Sequence, residues 1–352
     1  MKDTAYEEAV VLLSALINTP SFSGEEGETA ALICSWLKEK KIQYKQLQNN
    51  VWAKNKHFDP RKPTILLNSH HDTVKPNKGY TRDPFEPTLE DGKLFGLGSN
   101  DAGGCLVALM ATFNHFYDRA DLAYNLIYAA SAEEENSGQH GISLLLTALP
   151  KVEFAIVGEP TAMHMAIAEK GLLVIDGYAA GVSGHAAHNN TENAIYNALE
   201  DIQWVKSFRF PTISSTLGEV KMNVTQIEAG KQHNVVPATC HFVIDVRINE
   251  HYTNQSVFET IDKHTKSTLK ARSFRLNSSS IDQHHAIVQA GKKLGYPTFG
   301  SPTLSDQTLM PFPSVKIGPG DTKRSHAADE YILLEEIQEG ISTYIQLLNT
   351  IL

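Results

Sequence analysis

Three consecutive acids, Glu133-Glu134-Glu135, follow directly on Asn125-Leu126-Ile127-Tyr128-Ala129-Ala130, an apolar run of strand length. Alone, such a charge run reads as a solvated loop. Two other stretches repeat the pattern. His70-His71-Asp72 follows Pro63-Thr64-Ile65-Leu66-Leu67, and Glu159 follows Phe154-Ala155-Ile156-Val157. In open α/β sheets, ligands and catalytic groups gather at the carboxyl ends of the strands. Acids converging there repel one another unless they are protonated or neutralised by cations. With histidines as neighbours, a metal is the economical answer.

Five side chains are candidate ligands: His70, Asp101, Glu135, Glu159 and His326. Imidazole and carboxylate without thiolate suit catalytic zinc, or cobalt or manganese, better than structural zinc. One carboxylate bridging two ions ~3.5–4 Å apart would give a co-catalytic pair suited to hydrolysis. Asp72 is spaced to accept the other ring N–H of His70. Glu134, beside a ligand position, is free to serve as general base on the attacking water. A single His or Glu after a strand is more often structural, so the joint pattern carries the reading. The glycines of Gly96–Gly104 imitate a phosphate loop only superficially, because no Lys-Ser/Thr follows and Asp101 stands where an anion would bind.

The elements that must position these residues follow from periodicity. Tyr6, Val10, Leu13 and Ile17 mark an amphipathic helix stopped by Pro20. A second helix is expected from about Glu25 to Lys40, with Ser23 as N-cap and Glu26 closing a capping box. Residues 96–104 read as a flexible loop before a helix from Cys105 to Phe116. Strands and helices alternate up to Glu159, the mark of a doubly wound, mostly parallel sheet. After about Gly171 the style changes. Strands near Leu172–Ala180, Glu219–Ile227 and Thr239–Ile248 enclose helices near Glu192–Ser207 and Gln255–Leu269. That pattern suggests an α+β insert with an antiparallel sheet, and the α/β style resumes at Ile281. The expected organisation is a discontinuous catalytic domain, 1–171 and 281–352, interrupted by an inserted domain, 172–280.

The totals narrow the function class. A formal charge of −9 and a pI near 5.9 argue against a nucleic-acid or anionic-membrane surface. Cys34, Cys105 and Cys240 are odd in number and lack a CxxC pair, as expected in a reducing compartment without a disulfide framework. Acids precede the first apolar run where a secretory signal would carry a basic segment. No run reaches the ~18–20 apolar residues of a membrane span. A cytoplasmic location is the expectation.

His70-His71-Asp72-Thr73-Val74, Gly98-Ser99-Asn100-Asp101, Glu133-Glu134-Glu135, Val157-Gly158-Glu159-Pro160-Thr161 and Gly318-Pro319-Gly320 … His326 together resemble the successive motifs of one metallopeptidase family. It contains acetylornithine deacetylase, succinyl-diaminopimelate desuccinylase, aminoacylase and related carboxypeptidases. The resemblance implies two zinc ions per chain, with Co(2+) or Mn(2+) as substitutes. His70, Asp101 and Glu159 would hold one ion, and Asp101, Glu135 and His326 the other, with Asp101 bridging and Glu134 as base. It also implies a homodimer, in which His185 of Gly181-Val182-Ser183-Gly184-His185-Ala186 reaches a neighbouring active site. Asn234 and Arg247 match the stretch that contacts a substrate carboxylate, which an Arg grips bidentately. Many members carry Arg where Leu97 stands and Lys where Gly103 stands, which touches substrate and loop details but no proposed ligand.

The implied activity is deacylation of an N-acyl amino acid, foremost acetylornithine or an N-acyl-citrulline in arginine biosynthesis. A desuccinylase or a di- or tripeptidase is the alternative. A non-catalytic descendant that binds amino-acid derivatives is the reading from another class, and such a module has no need of Glu134.

Overall fold

The structure is a computed structural model describing residues 4–189 and 192–352. In chain order the elements begin with α1 (Thr4–Ile17), α2 (Gly27–Glu39), β1 (Tyr44–Leu47), β2 (Asn50–Lys54), β3 (Thr64–His70), β4 (Thr88–Glu90) and β5 (Lys93–Phe95). Then come α3 (Gly104–Phe116), β6 (Asn125–Ser131), α4 (Ile142–Leu146), β7 (Phe154–Val157) and β8 (Met165–Glu169). The middle of the chain forms β9 (Gly171–Ala180), β10 (Gly184–His185), α5 (Ala194–Ser207), β11 (Lys221–Ala229), β12 (Val235–Val236), β13 (Thr239–Ile248), α6 (Asn254–His264), β14 (Thr268–Ala271) and β15 (Ser279–Ser280). The last part adds α7 (Ala286–Lys293), β16 (Thr298–Ser301), β17 (Ser314–Lys316), β18 (Tyr331–Leu333) and α8 (Leu334–Ile351).

The chain divides into two compact units. The first comprises Met1–Ile167, Ile281–Phe299 and Ser305–Leu352; the second comprises Ala168–Ser280 and Gly300–Leu304. The strands of the first unit run in the order β1-β2-β6-β3-β7-β17-β8. β6, β3, β7 and β17 are parallel, whereas β1–β2, β2–β6 and β17–β8 are antiparallel. The sheet is therefore mixed rather than mostly parallel. The link from β1 to β2 is too short for the crossover that parallel neighbours need, so β1 folds back as a hairpin.

Strand alternation covers this sheet on both faces. Ile65, Leu67, Leu126 and Tyr128 enter the larger core with Leu13, Ile33, Phe113 and Tyr344. Leu66, Ile127 and Ala155 face the other way, into a smaller core with Trp52, Ile142 and Leu145. Because β3, β6 and β7 are buried on both faces, they read as unbroken apolar runs. Side chains at their carboxyl ends are thereby fixed by the sheet ladder.

The second unit holds an antiparallel sheet in the order β11-β13-β9-β14. β9 alternates between buried and partly exposed residues, and its inward side chains pack with Phe242, Ile244 and residues of α5 and α6. Its edges are β11 and β14, so Leu172–Ala180 lies inside the sheet.

Three local expectations are corrected. α2 begins at Gly27, with Glu26 as an N-cap that makes no side-chain capping bond. The Ser23 hydroxyl is not a cap; it donates to Asp72 Oδ2 at 2.7 Å. α6 stops at His264 rather than near Leu269, because Thr265 turns extended and Asp201 accepts the N–H groups of Lys266 and Ser267. Residues 99–103, expected as part of a flexible loop, form a mostly buried turn that leads directly into α3.

Candidate metal centre

The candidate ligands leave the sheet of the first unit and its adjoining segments. His70 ends β3, Glu134 and Glu135 follow β6, and Glu159 follows β7. Asp101 sits in the turn before α3, and His326 in the segment before β18. His70 Nε2 lies 3.4 Å from Asp101 Oδ1 and 3.7 Å from Glu159 Oε1. His326 Nε2 lies 3.0 Å from Glu135 Oε2 and 3.7 Å from Asp101 Oδ2. Each triad, His70-Asp101-Glu159 and Asp101-Glu135-His326, has its donor atoms within 4.8 Å of one another. Asp101 thus turns one oxygen to each imidazole. Glu134 Oε2 lies 4.0 Å from His70 Nε2, alongside the first triad.

Asp72 does more than its spacing indicated. His70 Nδ1 bonds the Asp72 main-chain oxygen at 3.0 Å, with the carboxylate oxygen at 3.4 Å. Donation from Nδ1 fixes the ring so that Nε2 faces Asp101 and Glu159. The Asp72 carboxylate accepts the N–H of Glu134 at 3.0 Å and of Glu135 at 3.1 Å. Glu133 has a left-handed φ of 52°, which turns the acidic segment so that both amides point at Asp72. Glu26 Oε1 accepts the Glu133 N–H at 3.1 Å and fixes the turn from α2.

The electrostatics describe a set of donors in want of positive charge. Burial, reinforced by Asp101, pushes Glu159 up to about 8. Burial also holds Glu134 well above the ordinary carboxylate range, with the Glu159 charge adding to it. Its hydrogen bond to Glu135 pushes His326 up to about 9. Burial opposes ionisation of Asp101 too, but His70 and His326 hold it below its usual value. Hard oxygen and imidazole donors at this spacing fit divalent ions such as Zn(2+), Co(2+) or Mn(2+), and the ions would relieve the crowding of acids.

The second unit carries the other expected residues. His185 in β10 pairs with Val235, and Ala186 N–H donates to the Asn234 oxygen at 2.9 Å. His185 and Asn234 are therefore neighbours. His185 does not cap α5; Asn193 does, accepting from Ile195 N at 2.9 Å. Arg247 is bound bidentately by Asp245 on its own strand, at 2.9 and 3.1 Å.

Sequence reasoning passed over Asn100, Glu330 and Asp306. Asp306 is buried, pushed up to about 6 by burial, and accepts from Asn68 and Ser131 at the ends of β3 and β6. Glu330 is buried and accepts the N–H groups of Asn100 and Asp101. A signal existed for Asn100 and Glu330, since each lies within four residues of a candidate ligand. Nothing local singled out Asp306.

The model of peptidase family M20/M25/M40 matches residues 66–350. A succinyl-diaminopimelate desuccinylase 2 from Ruegeria is 24% identical over 97% of this chain and 94% of its own length. An acetylornithine deacetylase from Proteus mirabilis is 28% identical over 76% of this chain and 74% of its own. Among solved structures, an M20 family metallo-carboxypeptidase from Sulfolobus solfataricus superposes with a TM-score of 0.74 at 17% identity, covering 98% of this chain and 99% of that one. A dinuclear metal-binding M20 peptidase from Bacillus subtilis gives a TM-score of 0.74 at 17% identity, covering 99% of both chains. A family match across most of the chain, together with these relatives, makes the protein a member of peptidase family M20/M25/M40.

Proposed function

We propose that the chain is a dizinc amidohydrolase that cleaves the amide of an N-acyl amino acid. Its substrate on this reading is N-acetyl-L-ornithine, or an N-acyl-citrulline, in arginine biosynthesis. The observation that carries the proposal is Asp101, whose two oxygens face His70 and His326 and join two donor triads. Divalent ions held there would polarise the scissile carbonyl and lower the pKa of the attacking water.

The chain's own part is proton traffic and orientation. Glu134 takes a proton as the water oxygen bonds to the carbonyl carbon. It returns that proton to the amide nitrogen as the C–N bond breaks, releasing a carboxylic acid and an amine. Asp72 orients His70 and holds the Glu134 backbone in place.

The proposal extends to a homodimer in which His185 donates to the developing oxyanion of the partner's site, with Asn234 and Arg247 as substrate contacts. β11 is an exposed edge strand, and α5 exposes Tyr196 and Leu199, which supports a two-fold interface. For Arg247 the reading requires release from Asp245. The names of the relatives, acetylornithine deacetylase above all, support the substrate class. Succinyl-diaminopimelate is the second candidate, favoured by a desuccinylase relative that aligns over 97% of the chain. Turnover of the zinc-loaded protein on N-acetyl and N-succinyl forms of ornithine, citrulline and diaminopimelate tests the reading. Acetylornithine or acylcitrulline should lead, and no turnover on any of them would reject it.

A further inference from the structure

The segment carrying His326 is attached at both ends to the turn carrying Asp101, and Asn100 takes part in both attachments. At its start, Asn100 Nδ2 donates to the Asp321 carbonyl at 3.1 Å, and Asn100 Oδ1 accepts the Asp321 N–H at 3.0 Å. At its end, the Glu330 carboxylate accepts the Asn100 N–H at 2.8 Å and the Asp101 N–H at 2.9 Å. Asn100 is fully buried. Its amide matches a main-chain donor and acceptor on one residue, a pairing that neither Asp nor Ala can reproduce.

The fit is close. Gly320 has a φ of 91°, and a Cβ there would stand 2.5 Å from Asn100 Oδ1. His326 itself is half exposed and has a φ of 59°, so its position depends on how the segment is held. His70 and Glu159, by contrast, leave β3 and β7, whose ladder places them.

We propose that Asn100 is a positioning residue that sets the spacing of Asp101 and His326, and so the affinity of the second cation position. The inference rests on reading Asp101, Glu135 and His326 as that position. A side chain that orients ligands in this way typically contributes 10-fold to 100-fold in metal affinity. The effect is selective: the position of His70, Asp101 and Glu159 keeps its affinity.

Titrating the metal-free wild type, Asn100→Ala and Asn100→Asp with Co(2+) tests this by calorimetry and by the visible absorption of bound cobalt. Asn100→Asp keeps the volume and the acceptor, so it guards against a folding defect in the alanine variant. Wild type should take up ~2 equivalents. In both variants the first equivalent should bind unchanged, and the second should bind about 10-fold to 100-fold more weakly with an altered spectrum. Two unchanged equivalents, or a parallel loss of both, overturns the role of Asn100. A wild type that binds fewer than ~2 overturns it as well, and identifies the two-ion reading as the point of failure.

Discussion

The Asp72 carboxylate grips Glu134 by its backbone, accepting its N–H at 3.0 Å while the second oxygen takes the next amide, of Glu135, at 3.1 Å. One buried acid thus aims both the proposed base and a proposed ligand, and its main-chain oxygen also orients His70. Asp72→Asn presents an N–H₂ to one of those amides. It should lower kcat or metal affinity by about 10-fold to 100-fold, read from steady-state kinetics and metal titration. An unchanged enzyme would contradict this placement of Asp72.

Glu134 and Glu135 are adjacent, yet their expected roles separate cleanly. Glu134→Gln or Glu134→Ala should retain the metals and the fold but lose kcat by at least ~10²-fold. Glu135→Ala should instead release metal from the second position. Near-full turnover by Glu134→Ala with its metals bound would reverse the assignment of base and ligand.

Proton release should accompany metal uptake. In the metal-free chain Glu159 is pushed up to about 8 and His326 to about 9, so both carry protons near neutrality. Divalent ions must displace those protons, and affinity should rise with pH until both groups ionise. The same shifts act on the metal-free fold. A group whose pKa is raised by folding contributes stability that is lost as pH climbs to its folded value, here from 4.5 toward about 8 for Glu159. Calorimetry in buffers of different ionisation enthalpy should show proton release, and melting of the metal-free protein should become easier over that pH range. A buffer-independent binding heat would contradict the first expectation.

His185 offers a test across subunits. His185→Ala and Glu134→Ala chains are each expected to be weak. If a partner supplies His185, their mixed dimer has one intact site and should regain about half of wild-type activity. No recovery after verified subunit exchange would confine each site to its own chain.

Much of the candidate site is legible in the sequence because strand ends announce themselves. The apolar runs before His70, Glu133 and Glu159 break abruptly into polar residues, and the parallel register brings those breaks to one edge. The large elements were legible for the same reason. What escaped were choices made by distant partners. Ser23 and Glu26 have the spacing of a capping box, but Asp72 and Glu133 claim their side chains. α6 looked longer because only Asp201, some 65 residues away, shows that residues 266–267 leave the helix. The sheet reads as mostly parallel because antiparallel pairing at its margins, β1–β2–β6 on one side and β17–β8 on the other, leaves no mark on apolar periodicity.

On the proposed reading, two donor triads sharing Asp101 hold the ions on which hydrolysis depends. Elemental analysis of the purified, zinc-loaded protein, paired with activity on acetylornithine before and after chelation, tests it most directly. The protein should carry ~2 divalent ions per chain, lose activity on chelation, and regain it when metal is returned. Full activity in a chelated preparation with no metal would contradict it.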